Sequence, residues 1–298
     1  MAVMMVRVGD GVELCAETNG DPADPAVLLI QGATSSMDWW EPELCRLLAE
    51  AGRFTIRYDH RDTGRSTTSP VGEPGYSGED LALDPMRLLD GIGISAAHLI
   101  GVSMGGGIAQ DLAVRYPDRV LSLTLIATSC AFDRADSSPL PEMAAGVREL
   151  FAQEESLLDW EDEEAVVDEQ VRVQRVFAGS LGIDEDYCRA TAQRVLERSH
   201  DLHASIVNHW VAIGGGDQGL RRTMAEIHVP TLVVHGSDDP MFPLPHGRSL
   251  AQEIDGATLL VIGGMGHGVP PRFSWDTVVP AILDHIETVP PAPLTTPS

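Results

Sequence analysis

Apolar and polar positions along this chain follow two rhythms, and their order predicts a largely parallel sheet interrupted once. Met4–Val8 and Val12–Glu17 are short alternating segments joined by Gly9, Asp10 and Gly11, the pattern of a hairpin. After the turn residues Asp21–Pro25 comes AVLLI, a continuous apolar run of the kind a strand shows when both faces are covered. Helical spacing over Trp39–Ala51, a strand over Phe54–Tyr58 and an amphipathic helix over Glu79–Leu89 follow; Pro85 should weaken the interior of that helix. His98–Val102 then reads as strand, Met104–Arg115 as helix and Val120–Ala127 as strand. Strand alternating with helix is the signature of an α/β fold with a parallel sheet.

The rhythm stops near Asp133. From there to Arg222 the sequence is helix-like and acidic, without a buried-strand pattern. It resumes after Pro230 with TLVVHG as strand, Pro245–Glu253 as helix, Thr258–Ile262 as strand and Trp275–Glu287 as a final helix. An interruption followed by resumption predicts one core, residues 1–132 and 223–288, carrying an inserted helical cap over 133–222. The Pro- and Thr-rich tail 289–298 is expected to be disordered.

Candidate chemistry sits at the strand ends. GVSMG, Gly101–Gly105, follows HLIGV directly and opens a helix pattern, which is the setting of a nucleophile elbow around Ser103. A serine needs a base, and the base needs an acid to orient it. His267, in the glycine-rich GGMGHG after the strand TLLVI, is the expected base; a histidine there has no helical or core periodicity to explain it. The SDDP stretch after TLVVHG supplies the acid, Asp239 in preference to Asp238, with Asp133 and Asp136 as weaker candidates. The backbone amides of Ala33, in IQGATSS, and of Met104 are the expected oxyanion donors, and Gln31 stands where such loops commonly carry His. Met37, Trp39, Met241 and Phe242 are expected to bind substrate, with Trp40 and Met265 as further apolar candidates near the motifs.

Charge and composition narrow the partners. The net charge is −25 and all 20 basic residues are Arg; with no Lys, a lysine Schiff base is excluded. So acidic a chain argues against nucleic acid or an anionic membrane as partner; the serine, acid and base at the strand ends point instead to a small-molecule ester or lactone. Much of the acid lies in Glu154, Glu155, Asp159, Glu161, Asp162, Glu163, Glu164, Asp168 and Glu169, which read as a solvated helical face. Cys15, Cys45, Cys130 and Cys188 lack metal-ligand spacing, and no cofactor is expected. MAVMMVRVGDGVEL is too short in apolar length for a signal peptide, and no stretch approaches the roughly 20 apolar residues of a membrane helix. A cytoplasmic protein is the expectation.

With these residues in view, the chain resembles the α/β-hydrolase superfamily. GDPADPAVLLI, RYDHRDTGRSTT, HLIGVSMG and GMGH are similar to methylesterases of the aclacinomycin (anthracycline) type. The resemblance spans both halves of the core and fades through the cap. It implies hydrolysis of a methyl ester on a polycyclic polyketide by Ser103, Asp239 and His267. It also implies that Asp62 stands where most members have Gly, with Asp59 and Arg61 bracing the core. Lactonases, C–C hydrolases and perhydrolases of this fold would keep the same three residues, whereas dehalogenases and epoxide hydrolases use an Asp nucleophile. A non-catalytic ligand receptor on the fold would have no use for all three.

Overall fold

The computed structural model describes residues 2–152, 158–214 and 222–288. The expected disordered tail, and Glu154 and Glu155 of the acidic run, lie outside the described residues. Eight strands form one sheet in the order β1-β2-β4-β3-β5-β6-β7-β8. The hairpin β1 (Ala2–Gly9) and β2 (Val12–Asn19) joins antiparallel to β4 (Phe54–Tyr58). From there β3 (Ala26–Ile30), β5 (Ala97–Val102), β6 (Val120–Ile126), β7 (Thr231–Gly236) and β8 (Thr258–Ile262) all run parallel.

The apolar runs are continuous because each central strand feeds two cores. In β3, Ala26, Leu28 and Ile30 enter one buried cluster while Val27 and Leu29 enter the other. The first cluster is closed by α2 (Gly78–Gly91), α3 (Met104–Arg115) and α8 (Pro245–Glu253). The second is closed by α1 (Pro42–Glu50) and α9 (Trp275–Glu287). Side chains alternate across the pleat, so a strand covered on both faces needs no polar positions. Truncating a central residue such as Leu28 to Ala should cost about 2–5 kcal/mol.

Two elements depart from expectation. The segment over Trp39–Ala51 is not one helix: a 3-10 turn, Met37–Trp39, precedes α1, which begins with Pro42 in its first turn, where a missing N–H costs nothing. The helix through Pro85 is intact and longer than the pattern, with a reciprocal Ser77–Asp80 capping box and buried Leu81, Met86, Leu88 and Leu89. Capping and burial together outweigh one lost backbone hydrogen bond.

Between β6 and β7 the described residues form α4 (Ala145–Ala152), α5 (Glu163–Phe177), α6 (Glu185–Arg198) and α7 (Leu202–Gly214). Its two ends meet: Asp133 pairs with Thr223 in a single parallel bridge, with Asp133 N donating to Arg222 O at 3.1 Å. In α5 the residues Val166, Val167 and Val171 turn inward, Glu163 and Glu164 face outward, and Asp162 caps the helix by accepting from Ala165 N. Among the described residues no helix is long and apolar enough to cross a membrane.

Candidate active site

β5 ends in a turn too tight for ordinary residues. Ser103 sits there with φ 53° and ψ −119°, a left-handed backbone that a non-glycine residue adopts only under constraint, and it caps the N-terminus of α3. Its neighbours allow the turn. A Cβ on Gly101 would lie 2.3 Å from the Gly105 carbonyl oxygen, and one on Gly105 would lie 2.3 Å from that of Ile30. Ser103 and His267 both line a cavity of about 1070 Å³.

The acid and base come from the ends of β7 and β8. His267 Nδ1 donates to Asp239 Oδ2 at 3.0 Å, which leaves Nε2 as the free lone pair. The other carboxylate oxygen of Asp239 accepts from the amides of Met241 at 2.9 Å and Phe242 at 2.8 Å. Burial would raise the Asp239 pKa, but the His267 hydrogen bond and charge and the Phe242 amide carry it below the ordinary carboxylate range. The imidazole is gripped by two rings, Phe177 at 5.4 Å and Phe242 at 5.5 Å, and its own amide donates to Phe177 O at 2.8 Å. Glycine is required at 266, where a Cβ would lie 2.2 Å from that same carbonyl oxygen. No hydrogen bond joins Ser103 Oγ to His267 Nε2 in this structure, although both residues line the same cavity.

The other acidic candidates are elsewhere. Asp238 is exposed and accepts from Ser237 Oγ and Ser180 N. Asp133 forms the bridge at the base of the insertion, and the Asp136 amide donates to Glu253. The loop after β3, expected to carry the oxyanion amide of Ala33, touches the turn at Ser103, since a Cβ on Gly32 would lie 3.4 Å from the Ser103 Cβ. Among the described residues, the amides of Ala33 and Met104 donate to no protein acceptor. Gln31 turns its Oε1 onto the Gly32 amide at 2.8 Å.

The expected substrate-binding residues divide. Trp39 and Met241 line the cavity, as does Met265. Met37 does not: it is fully buried in the core, its amide bound to Asp59 Oδ1 at 2.9 Å, because the 3-10 turn points it inward. Trp40 is likewise core. Phe242 lies behind His267 rather than on the wall, and Met104 is outside the lining, packed against the first core cluster. Residues that sequence reasoning passed over also line it: Phe151, Phe177, Tyr187 and Trp210 from the inserted helices, and Trp160 from the turn before α5. Aromatic side chains in an otherwise acidic helical stretch were the available signal.

The segment RYDHRDTGRS proves structural. Arg61 forms a buried two-point pair with Asp84, at 2.7 and 2.8 Å. Asp62 has φ 64°, a conformation natural to glycine, and its carboxylate accepts from Tyr76 Oη at 2.7 Å and Asn208 Nδ2 at 2.9 Å. Asp is among the few side chains that tolerate that region, and here its hydrogen bonds offset the strain.

Known proteins share this fold. The α/β-hydrolase fold family matches residues 25–270. The chain belongs to the α/β-hydrolase family. It is 34% identical over 274 residues to rhodomycin D methylesterase DnrP of Streptomyces peucetius, covering 88% of this chain and 91% of the relative. It is 35% identical to rhodomycin D methylesterase DauP of Streptomyces sp. strain C5, with the same coverage of 88% and 91%. Among solved structures, the 2-hydroxy-6-oxo-6-phenylhexa-2,4-dienoate hydrolase of Rhodococcus sp. strain RHA1 superposes with a TM-score of 0.71. That match is 20% identical and covers 96% of this chain and 99% of that one. At that identity the likeness speaks to the fold alone.

Proposed function

We propose that this chain is a serine esterase that hydrolyses a methyl ester carried by a polycyclic polyketide, with Ser103 as nucleophile, His267 as base and Asp239 as orienting acid. The observation that carries the reading is a strained serine facing the same cavity as an imidazole whose far nitrogen is held by a buried carboxylate. Ser103 gives its proton to His267 Nε2 and attacks the ester carbonyl. The tetrahedral oxyanion is held by the amides of Ala33 and Met104. His267 then protonates the departing methanol, and a water molecule, deprotonated by the same nitrogen, releases the acid and restores the serine. Asp239 fixes the tautomer and offsets the imidazolium charge.

The polycyclic substrate is supported by two things. The relatives at 34% and 35% identity are named for methylester hydrolysis of rhodomycin D. The cavity, about 1070 Å³, is at the large end for small-molecule sites and is walled by Trp39, Phe151, Trp160, Phe177 and Trp210, flat rings suited to a flat ligand. Residues 133–222 act in this reading as the cap that shapes that wall, joined to the core at the meeting of Asp133 and Thr223.

The test is an ester panel on the wild type and Ser103→Ala, comprising p-nitrophenyl acetate, an aryl lactone and a polycyclic polyketide methyl ester, followed by mass spectrometry. Ser103→Ala should lose about 10⁴-fold or more in kcat on every ester. Equal activity in the two proteins removes Ser103 from the mechanism, and preference for the lactone overturns the methylesterase assignment.

A further inference from the structure

The loop bearing the Ala33 amide is held from two sides by buried histidines. His60, just past β4, donates Nε2–H to the Gln31 carbonyl at 3.0 Å, and its Nδ1 accepts from the Tyr58 hydroxyl at 3.3 Å. His209, on α7 of the insertion, accepts the Thr34 amide at Nδ1 and donates Nε2–H to the Arg61 carbonyl, both at 2.8 Å. The partners dictate the tautomers. An amide can only donate and a carbonyl can only accept, so His209 is neutral with its proton on Nε2, while the Gln31 carbonyl puts a proton on Nε2 of His60 and burial leaves its Nδ1 as the acceptor from Tyr58. The rings meet edge to face, 5.8 Å between centroids, and burial keeps both uncharged, His60 lowered to about 3.

Only Gly32 and Ala33 lie between the two anchored residues. Thr34 has φ 64°, a left-handed backbone that a β-branched residue holds only when its surroundings over-determine it. The hydrogen bond to His209 falls on that residue's own amide, which belongs to the peptide plane following Ala33. Fixing the planes on either side of Gly32–Ala33 fixes where the intervening N–H points.

We propose that His209, supplied by the inserted helices, is a positioning residue that aims the Ala33 amide at the reacting carbonyl, with His60 as its counterpart in the core. This rests on Ala33 acting as an oxyanion donor, as in the mechanism above. The insertion thereby completes the catalytic apparatus as well as the substrate wall.

His209→Phe keeps a ring and removes the acceptor; His209→Asn offers an oxygen close to the Nδ1 position. On p-nitrophenyl acetate, H209F should lose about 10- to 100-fold in kcat with KM changed less than about twofold, since misplacing one donor acts on the transition state. H209N should recover most of that loss. Hydrogen exchange of the Thr34 amide should be faster in H209F by about tenfold or more and close to wild type in H209N. Wild-type kcat in H209F, or equal losses in H209F and H209N, overturns the proposal. If H209F does not fold, H209Q replaces it: it reaches toward the Arg61 partner only, and the same loss of kcat is expected. Ser103→Ala run alongside separates the two levels. Retained activity there sinks the esterase mechanism, while unchanged Thr34 exchange in H209F sinks the clamp by itself.

Discussion

The first and last helices of the insertion are attached to the molecule in opposite ways. α7 buries Leu202, Ala204, Ser205, Asn208, His209 and Ala212, and its polar members all bond to the core. Ser205 Oγ donates to the Asp62 carbonyl at 2.7 Å, and Asn208 Nδ2 reaches the Asp62 carboxylate while its Oδ1 takes the Gly72 amide at 2.7 Å. Just before α7, Arg198 bridges the buried carboxylates of Asp38 and Asp59. α4, by contrast, buries only Val147, and Phe151 at its end is 44% exposed although it lines the cavity. The difference is between a helix keyed into the core by buried polar groups and another resting on it. Low burial and few buried hydrogen bonds mark the part of a fold that opens most easily. The keyed half holds the loop after β3 through His209, and the loosely held half lines the cavity with Phe151.

Removing the key should have the largest effect. Arg198→Ala leaves Asp38 and Asp59 buried without their shared cation, and unfolding by urea should show a loss of about 3–5 kcal/mol. Val147→Ala, the corresponding change in α4, should cost about 1–2 kcal/mol. Equal losses would erase the distinction between the halves.

Acid should weaken the keyed half next. Burial lowers the pKa of His60 from 6.5 to about 3 and lowers that of His209 as well. Between pH 6.5 and 3 the unfolded chain therefore takes up protons that the folded chain refuses at His60. Stability from these neutral rings is complete above the unfolded value and falls as pH drops below it, by up to about 1.4 kcal/mol per pH unit for each histidine. Urea midpoints at successive pH values should show this slope, and His209→Asn should remove one histidine's share. A slope unchanged by that substitution would mean that His209 takes up its proton as readily in the folded chain as in the unfolded one.

The smallest effect belongs to the loose half. Phe151→Ala should raise KM for a polycyclic methyl ester by about three- to tenfold, the effect of losing part of one aromatic wall. KM for p-nitrophenyl acetate, too small to reach that wall, should stay within about twofold. Steady-state kinetics on both esters decides it, and a rise for both would place Phe151 in general packing.

Much of the core was legible because its rules are local. The pattern HLIGVSMGGG specifies strand, strained turn and helix within one stretch, and Ser103 takes the left-handed geometry that the flanking glycines permit. His267 stood out for the lack of any packing rationale, and the preference for Asp239 over Asp238 matches the carboxylate that meets it. Met37 misled because an apolar residue beside a motif reads the same whether it faces cavity or core; the 3-10 turn settled it. Asp62 was visible as a departure from glycine, while the reason, a positive φ satisfied by Tyr76 and Asn208, was not.

Sequence alone determined the α/β order and the strained strand–turn–helix at Ser103, and it pointed to the three residues of the proposed triad, since each signal lies in spacing or backbone constraints within a few residues. Tertiary structure decided the cavity wall and the bracing of the loop after β3. His209 lies 175 positions from Thr34, and its hydrogen bond exists only because the insertion folds back over the β3 loop. Polar contacts between distant segments leave no periodic trace in either one, so only the folded chain reveals which donor meets which acceptor.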